Sequence, residues 1–103
     1  MDRASGLAPA EIRVMLSGEI DEYASRTLRE KLDRLIDERQ PSRLVLDLSG
    51  VSFVDSTGLG LIFGRYKKLN ARGGELALVN VPRQVDRVFL ASGVYSVAVK
   101  ADD

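Results

Sequence analysis

Ser56 is the side chain in this sequence best placed to undergo chemistry. It lies in the run Asp55-Ser56-Thr57-Gly58-Leu59-Gly60, between the strand-like Val51-Ser52-Phe53-Val54 and a segment of helical periodicity. That is where a helix N-cap belongs, and capping is the plain structural explanation for a serine there. A catalytic serine is excluded. The chain has no histidine to serve as its base, and the nucleophile-elbow pattern G-x-S-x-G fails because Val54 stands where its first glycine should be. A dinucleotide fingerprint beginning at Gly58 fails at Phe63, and no Gly-Lys-Ser/Thr of a P-loop is present. Asp21, Asp47 and Asp55 are acids near the expected strand ends. A small nucleotide-, ligand- or metal-binding site at the Asp21/Asp55 end is therefore the alternative reading. Acids at strand ends more often cap helices or stay solvated.

Composition removes further classes. Lys+Arg and Asp+Glu balance at 15 each, so no net charge draws the chain to nucleic acid or to an anionic membrane. The absence of cysteine excludes disulfides, zinc–thiolate sites and thiol chemistry. No apolar run resembles a signal peptide or a spanning helix, which makes the cytoplasm the expected location. A length of 103 residues fits one domain.

The elements that must position Ser56 alternate in period. Ile12–Leu16 reads as a half-buried strand ending before Gly18. Ala24, Leu28, Leu32, Leu35 and Ile36 recur at helical spacing up to Pro41, with Arg26 and Arg29 on the opposite, solvent side. Either Asp21 or a Thr27/Glu30 capping box can start that helix. Leu44-Val45-Leu46 is a buried strand, Ser49-Gly50 a turn, and a second helix runs from Ser56 to about Arg72 before Gly73-Gly74. Leu76–Val79 forms another strand. Pro82 opens a third helix carrying Val85, Val88 and Phe89 inward, Gly93 closes it, and Val97–Val99 is a last strand. A further edge strand lies near Ala4–Leu7. The fold class is α/β, with a mixed but mostly parallel sheet of four to five strands packed with three or more helices.

On a helical wheel, Leu59, Ile62, Phe63, Tyr66 and Leu69 of the second helix form the core stripe. Thr57, Gly60, Leu61, Gly64, Lys68 and Ala71 lie opposite. Each interior glycine costs about 1 kcal/mol relative to alanine, and core packing does not explain Gly60 and Gly64. A flat face against which another backbone docks does explain them, with Leu61 as its apolar contact.

Val51 to Gly60, with Gly64-Arg65-Tyr66-Lys67-Lys68-Leu69, Gly73-Gly74-Glu75, Ser92-Gly93-Val94 and Gly18-Glu19-Ile20-Asp21, resembles the bacterial anti-sigma factor antagonists of the STAS domain family. The likeness spans roughly Ile12 to Val99, and the Gly-Arg-Tyr-Lys stretch is most similar to the sporulation branch. The resemblance implies a single STAS domain over residues 1–103. It implies that Ser56 is phosphorylated by an anti-sigma factor that is also a serine kinase, and reset by a PP2C-type phosphatase. The unphosphorylated form then binds the anti-sigma factor and frees a sigma factor. ATP belongs to the kinase, so the chain needs no cofactor or metal, acts as no enzyme, and contacts neither nucleic acid nor membrane. The expected partner-binding residues are Asp21, Asp55, Ser56, Thr57, Gly58, Gly60, Leu61 and Gly64, on a domain expected to be monomeric when free. Thr57 is a second hydroxyl acceptor one residue on. Service to a transporter or stress complex is the family's other role.

Overall fold

The computed structural model describes residues 11–101, in which strand and helix alternate throughout. The elements are β1 (Glu11–Ile20), α1 (Glu22–Arg39), β2 (Arg43–Val54), α2 (Ser56–Asn70), β3 (Glu75–Val79), α3 (Arg83–Ser92), a 3-10 turn at Val94–Ser96 and β4 (Val99–Lys100). The sheet order is β1-β2-β3-β4 and all three pairings are parallel. Because each crossover advances by one strand in the same direction, right-handed connections place the helices together on one face. Leu44, Leu46 and Leu48 of β2 and Leu76 and Leu78 of β3 supply that face. Against them lie Leu32 and Ile36 of α1, Ile62 and Leu69 of α2, and Val85 and Phe89 of α3. The alternate residues Val45, Ala77 and Val79 form a second, smaller cluster on the reverse face. The expected edge strand near Ala4–Leu7 falls outside the described residues, and the mixed character expected of the sheet is not found among the four described strands.

β1 and β2 are longer than their apolar patterns suggest. β1 continues through Gly18, whose φ of +80° accompanies register shifts against β2 between Met15 and Ser17 and between Gly18 and Glu19. Ser49-Gly50 is not a turn. The Ser49 N–H donates to Asp47 Oδ1 at 3.0 Å, and Gly50 pairs with Ser17 inside the continuing ladder. A Cβ on Gly50 would lie 3.1 Å from Ser17 Cβ, so the glycine answers a close approach of two strands. The result is a pair of strands that end in register, Ile20 beside Val54. The last strand is also displaced: Val94–Ser96 folds as a 3-10 turn and pairing begins only at Val99. Asp86 ties this C-terminal segment to α3, accepting from Tyr95 Oη at 2.6 Å and pairing with Lys100 Nζ at 2.9 Å.

The core stripe of α2 differs from the wheel. Leu61 is 5% exposed and belongs to the main core, and Arg65 is 7% exposed. α2 packs on α1 as well as on the sheet, so a second stripe of the helix is buried. Arg65 Nε meets Asp33 Oδ1 at 3.0 Å, Lys68 Nζ meets Asp37 Oδ2 at 3.0 Å, and Arg72 Nη2 meets Asp37 Oδ1 at 2.8 Å. Leu61 is therefore a core residue between two helices and offers no exposed contact to a partner.

Candidate functional site

β1 and β2 are adjacent parallel strands, and each passes into its helix through one aspartate. Asp21 (φ −97°, ψ −169°) and Asp55 (φ −97°, ψ −170°) have nearly the same backbone conformation. Asp21 Oδ1 accepts from Ala24 N–H at 2.9 Å and Asp55 Oδ1 from Gly58 N–H at 3.0 Å, so both are N-caps. This selects Asp21 as the start of α1, and the Thr27/Glu30 capping box is not used. It also corrects the capping assignment in α2. Asp55 is the cap, and Ser56 is the first residue within the helix. The Asp55 N–H bonds to Ile20 O at 3.3 Å, drawing the two strand ends together. Asp21 and Asp55 accordingly line one shallow depression with Glu22, Tyr23 and Arg26.

The two hydroxyls beside Asp55 are used differently. Thr57 Oγ1 donates to Asp55 Oδ1 at 2.6 Å. Ser56 is exposed, and its hydroxyl has no hydrogen-bond partner among the described residues. The Thr57 hydroxyl, followed by the Gly58 N–H, holds the Asp55 carboxyl below its ordinary range, so it is fully ionised at neutral pH. The helix N-terminus adds partial positive charge, which favours an anion on Ser56.

The three glycines of α2 separate into two kinds. Nothing lies within 4 Å of a Cβ built on Gly60 or Gly64, so that flank of the helix is bare. A Cβ on Gly58 would sit 2.6 Å from Ile20 O and 2.8 Å from Val54 Cγ1. Gly58 is buried, and it lets the helix start lie directly on the ends of β1 and β2. It is a packing glycine and not part of a contact face. Of the residues expected to meet a partner, the fold gathers Asp21, Asp55, Ser56, Thr57, Gly60 and Gly64 at one end and flank of the α1/α2 pair, while Gly58 and Leu61 lie beneath them. Tyr23, 81% exposed, and Arg26 join this end through α1. The wheel of α1 showed Arg26 only as a solvent-side cation, since what lies across from it is set by the fold.

Asp47 is not part of this end. It accepts from Ser49 N–H, from Arg13 Nη2 at 2.8 Å and from Asn80 Nδ2 at 3.2 Å, and is 3% exposed. Among the described residues no group of three or more His, Cys, Asp or Glu side chains is arranged to hold a metal ion.

The chain matches the STAS domain family over residues 8–100. The chain belongs to that family. This STAS domain is 43% identical over 84 residues to the anti-sigma F factor antagonist of Paenibacillus polymyxa, covering 82% of this chain and 72% of the relative. It is 38% identical over 87 residues to the anti-sigma-B factor antagonist of Bacillus subtilis (strain 168), covering 84% and 78%. Among solved structures it resembles the anti-sigma factor antagonist SpoIIAA in its unphosphorylated form, with a TM-score of 0.79, 29% identity and coverage of 94% of this chain and 84% of that one. It also resembles SpoIIAA, the Bacillus cell fate determinant, in its phosphorylated form, with a TM-score of 0.70, 28% identity and coverage of 94% and 87%. No helix among the described residues is long and apolar enough to cross a membrane.

Proposed function

We propose that this STAS domain is an anti-sigma factor antagonist switched by phosphorylation of Ser56. The observation that carries the reading is the contrast at the start of α2. Asp55 occupies the neighbouring Thr57 hydroxyl, while Ser56 stands exposed and unbonded at the first position of the helix. Relatives named as antagonists of anti-sigma factors, and a solved relative described in both phosphorylation states, support it.

In this reading the unphosphorylated domain presents the bare Gly60/Gly64 flank and the Asp21/Asp55 end to an anti-sigma factor with serine kinase activity. The kinase transfers the γ-phosphoryl group of its own ATP. The Ser56 Oγ–P bond forms, the bond from that phosphorus to the β-phosphate oxygen breaks, ADP leaves, and the kinase removes the serine proton. In this reading the domain is the substrate, and the ATP and the catalytic base are the kinase's. Phosphate adds about −1.5 to −2 charge at neutral pH. The N-terminus of α2 stabilises that charge, so the domain itself need not rearrange. For the partner, however, the group stands beside the ionised Asp55 at the rim of the docking flank, where it blocks approach. A PP2C-type phosphatase restores binding. Incubation with the cognate anti-sigma factor and ATP, followed by site mapping, tests this: one phosphate per chain on Ser56 is expected. Unmodified protein in an active kinase reaction would overturn it.

A further inference from the structure

A second, deeper groove runs between the N-terminal halves of α1 and α2. It encloses about 420 Å³ and is lined by Glu22, Ser25, Arg26 and Arg29 of α1 and by Thr57, Gly60, Leu61, Gly64 and Arg65 of α2. Three arginines and one acid line it: Glu22 is 3.6 Å from Arg26, and Arg65 has the carboxylate of Asp33, outside the lining, at 3.0 Å. Arg29 has no ionic partner among the described residues. Two of the lining residues are more than nine-tenths buried and incompletely bonded. The Ser25 hydroxyl has no hydrogen-bond partner, and neither has Arg65 Nη1. Arg65 Nε is 3.0 Å from Asp33 Oδ1, but the contact lacks hydrogen-bonding geometry. Buried donors left unpaired are uncommon and costly, and a guanidinium more so than a neutral group. Burial is the main influence disfavouring the charged form of Arg65; Asp33 opposes it, and the positive charge of Arg29 adds to it.

An anion between these groups would relieve all three conditions. We propose that the α1/α2 groove binds a phosphate group on Arg65 Nη1, the Arg29 guanidinium and the Ser25 hydroxyl, its ligand being a small phosphorylated metabolite. Ser25 and Arg29 on α1 and Arg65 on α2 offer donors from two helices, and a phosphate has more outer oxygens to occupy them than a carboxylate has. The groove volume lies in the range of small-molecule sites and exceeds the needs of one inorganic ion, leaving room for an organic remainder along the bare Gly60/Gly64 wall. Glu22 at the rim disfavours ligands whose charge extends beyond the phosphate. The site does not depend on any modification of Ser56.

The test is an NMR titration of the unphosphorylated domain at constant ionic strength, following the Arg65 side-chain Nε–Hε signal and the backbone amides of Ser25, Thr57, Gly60 and Gly64. The probes are inorganic phosphate, glycerol phosphate as a simple organic ester, and acetate. Saturable shifts with both phosphates, tighter for the ester, and only a weak linear response to acetate are expected. Tighter binding of inorganic phosphate than of the ester would overturn the metabolite assignment. Ser25→Ala and exposed Arg29→Gln should each weaken phosphate binding by roughly tenfold or more, as loss of a charge-assisted hydrogen bond implies. Shifts that do not saturate, acetate binding equal to phosphate, or unchanged affinity in both variants would overturn the proposal.

Discussion

The Thr57 hydroxyl donates to Asp55 Oδ1 at 2.6 Å, on the same oxygen that caps Gly58 N–H at 3.0 Å. One carboxylate oxygen thereby holds the helix start and engages the exposed Thr57 hydroxyl, leaving the hydroxyl of the intervening Ser56 unbonded among the described residues. Two adjacent hydroxyl residues become chemically distinct through a cap.

This contrast predicts where phosphate goes. With the cognate anti-sigma kinase, Ser56→Ala should abolish incorporation, whereas Thr57→Ala should retain it on Ser56. Mass-spectrometric mapping of both variants checks the order, and phosphothreonine at 57 in the wild type would contradict it. Ser56→Asp should weaken partner binding, while Ser56→Ala should bind and resist inactivation, as read by calorimetry.

The glycines give opposite signs of stability change. At Gly58 a methyl group meets the backbone oxygen of Ile20 at 2.6 Å, and backbone cannot yield as a side-chain tip does. Gly58→Ala should destabilise by about 1–3 kcal/mol, the range for overpacking. Gly60→Ala and Gly64→Ala enter open space and should each stabilise by up to about 1 kcal/mol through helix propensity. The same two substitutions should weaken partner binding if the flank is a docking surface. Urea unfolding together with a binding titration separates the two effects.

The alternation of periods made the α/β order legible, because each strand–helix unit is local. What escaped the sequence was non-local. A helical wheel assumes one buried stripe, but α2 has two, and only the packing of α1 shows that Leu61 and Arg65 lie inward. Gly58 and Gly60 are the same residue type two positions apart, and Ile20, a residue of another strand, decides which is crowded. Asp55 and Ser56 are both good cap residues in sequence, and only the hydrogen bond from Gly58 N–H to Asp55 Oδ1 distinguishes them. Ser49-Gly50 carries turn chemistry yet stays in a strand, because the ladder resumes at Gly50, opposite Ser17, after a register shift.

Leu61 offers a direct check on that correction. As a buried residue between α1 and α2, Leu61→Ala should cost about 2–5 kcal/mol, the usual range for truncating a core leucine. A change within about 0.5 kcal/mol, typical of surface positions, would return Leu61 to the exposed face.

Asp21 separates capping from charge. Asp21→Ala removes the acceptor of the Ala24 N–H and should cost about 1 kcal/mol. Asp21→Asn keeps a capping oxygen and should unfold close to wild type. If the acid itself contributes to partner binding, both variants should bind more weakly. Asn binding as wild type while Ala does not would assign Asp21 to helix positioning alone.

Asp47 governs part of the acid response. The Ser49 N–H first, then the Arg13 guanidinium, holds its carboxyl far below the ordinary range, and burial opposes them without prevailing. A folded-state pKa below the unfolded one means that the unfolded chain binds the proton more readily. The stabilisation is therefore complete above the unfolded value of about 3.9 and is lost as pH falls from there towards the folded value. Asp55, Asp37 and Asp86 are shifted in the same direction, so the wild type should lose stability steeply on acidification below that point. Asp47→Asn removes the charge that Arg13, the Ser49 N–H and Asn80 all bond, and should lower the melting temperature at neutral pH. The variant should also lose less on acidification, so the wild-type and variant curves converge towards low pH. Thermal unfolding of both proteins across the acid range measures this, and parallel curves would show that Asp47 is not a source of the acid sensitivity.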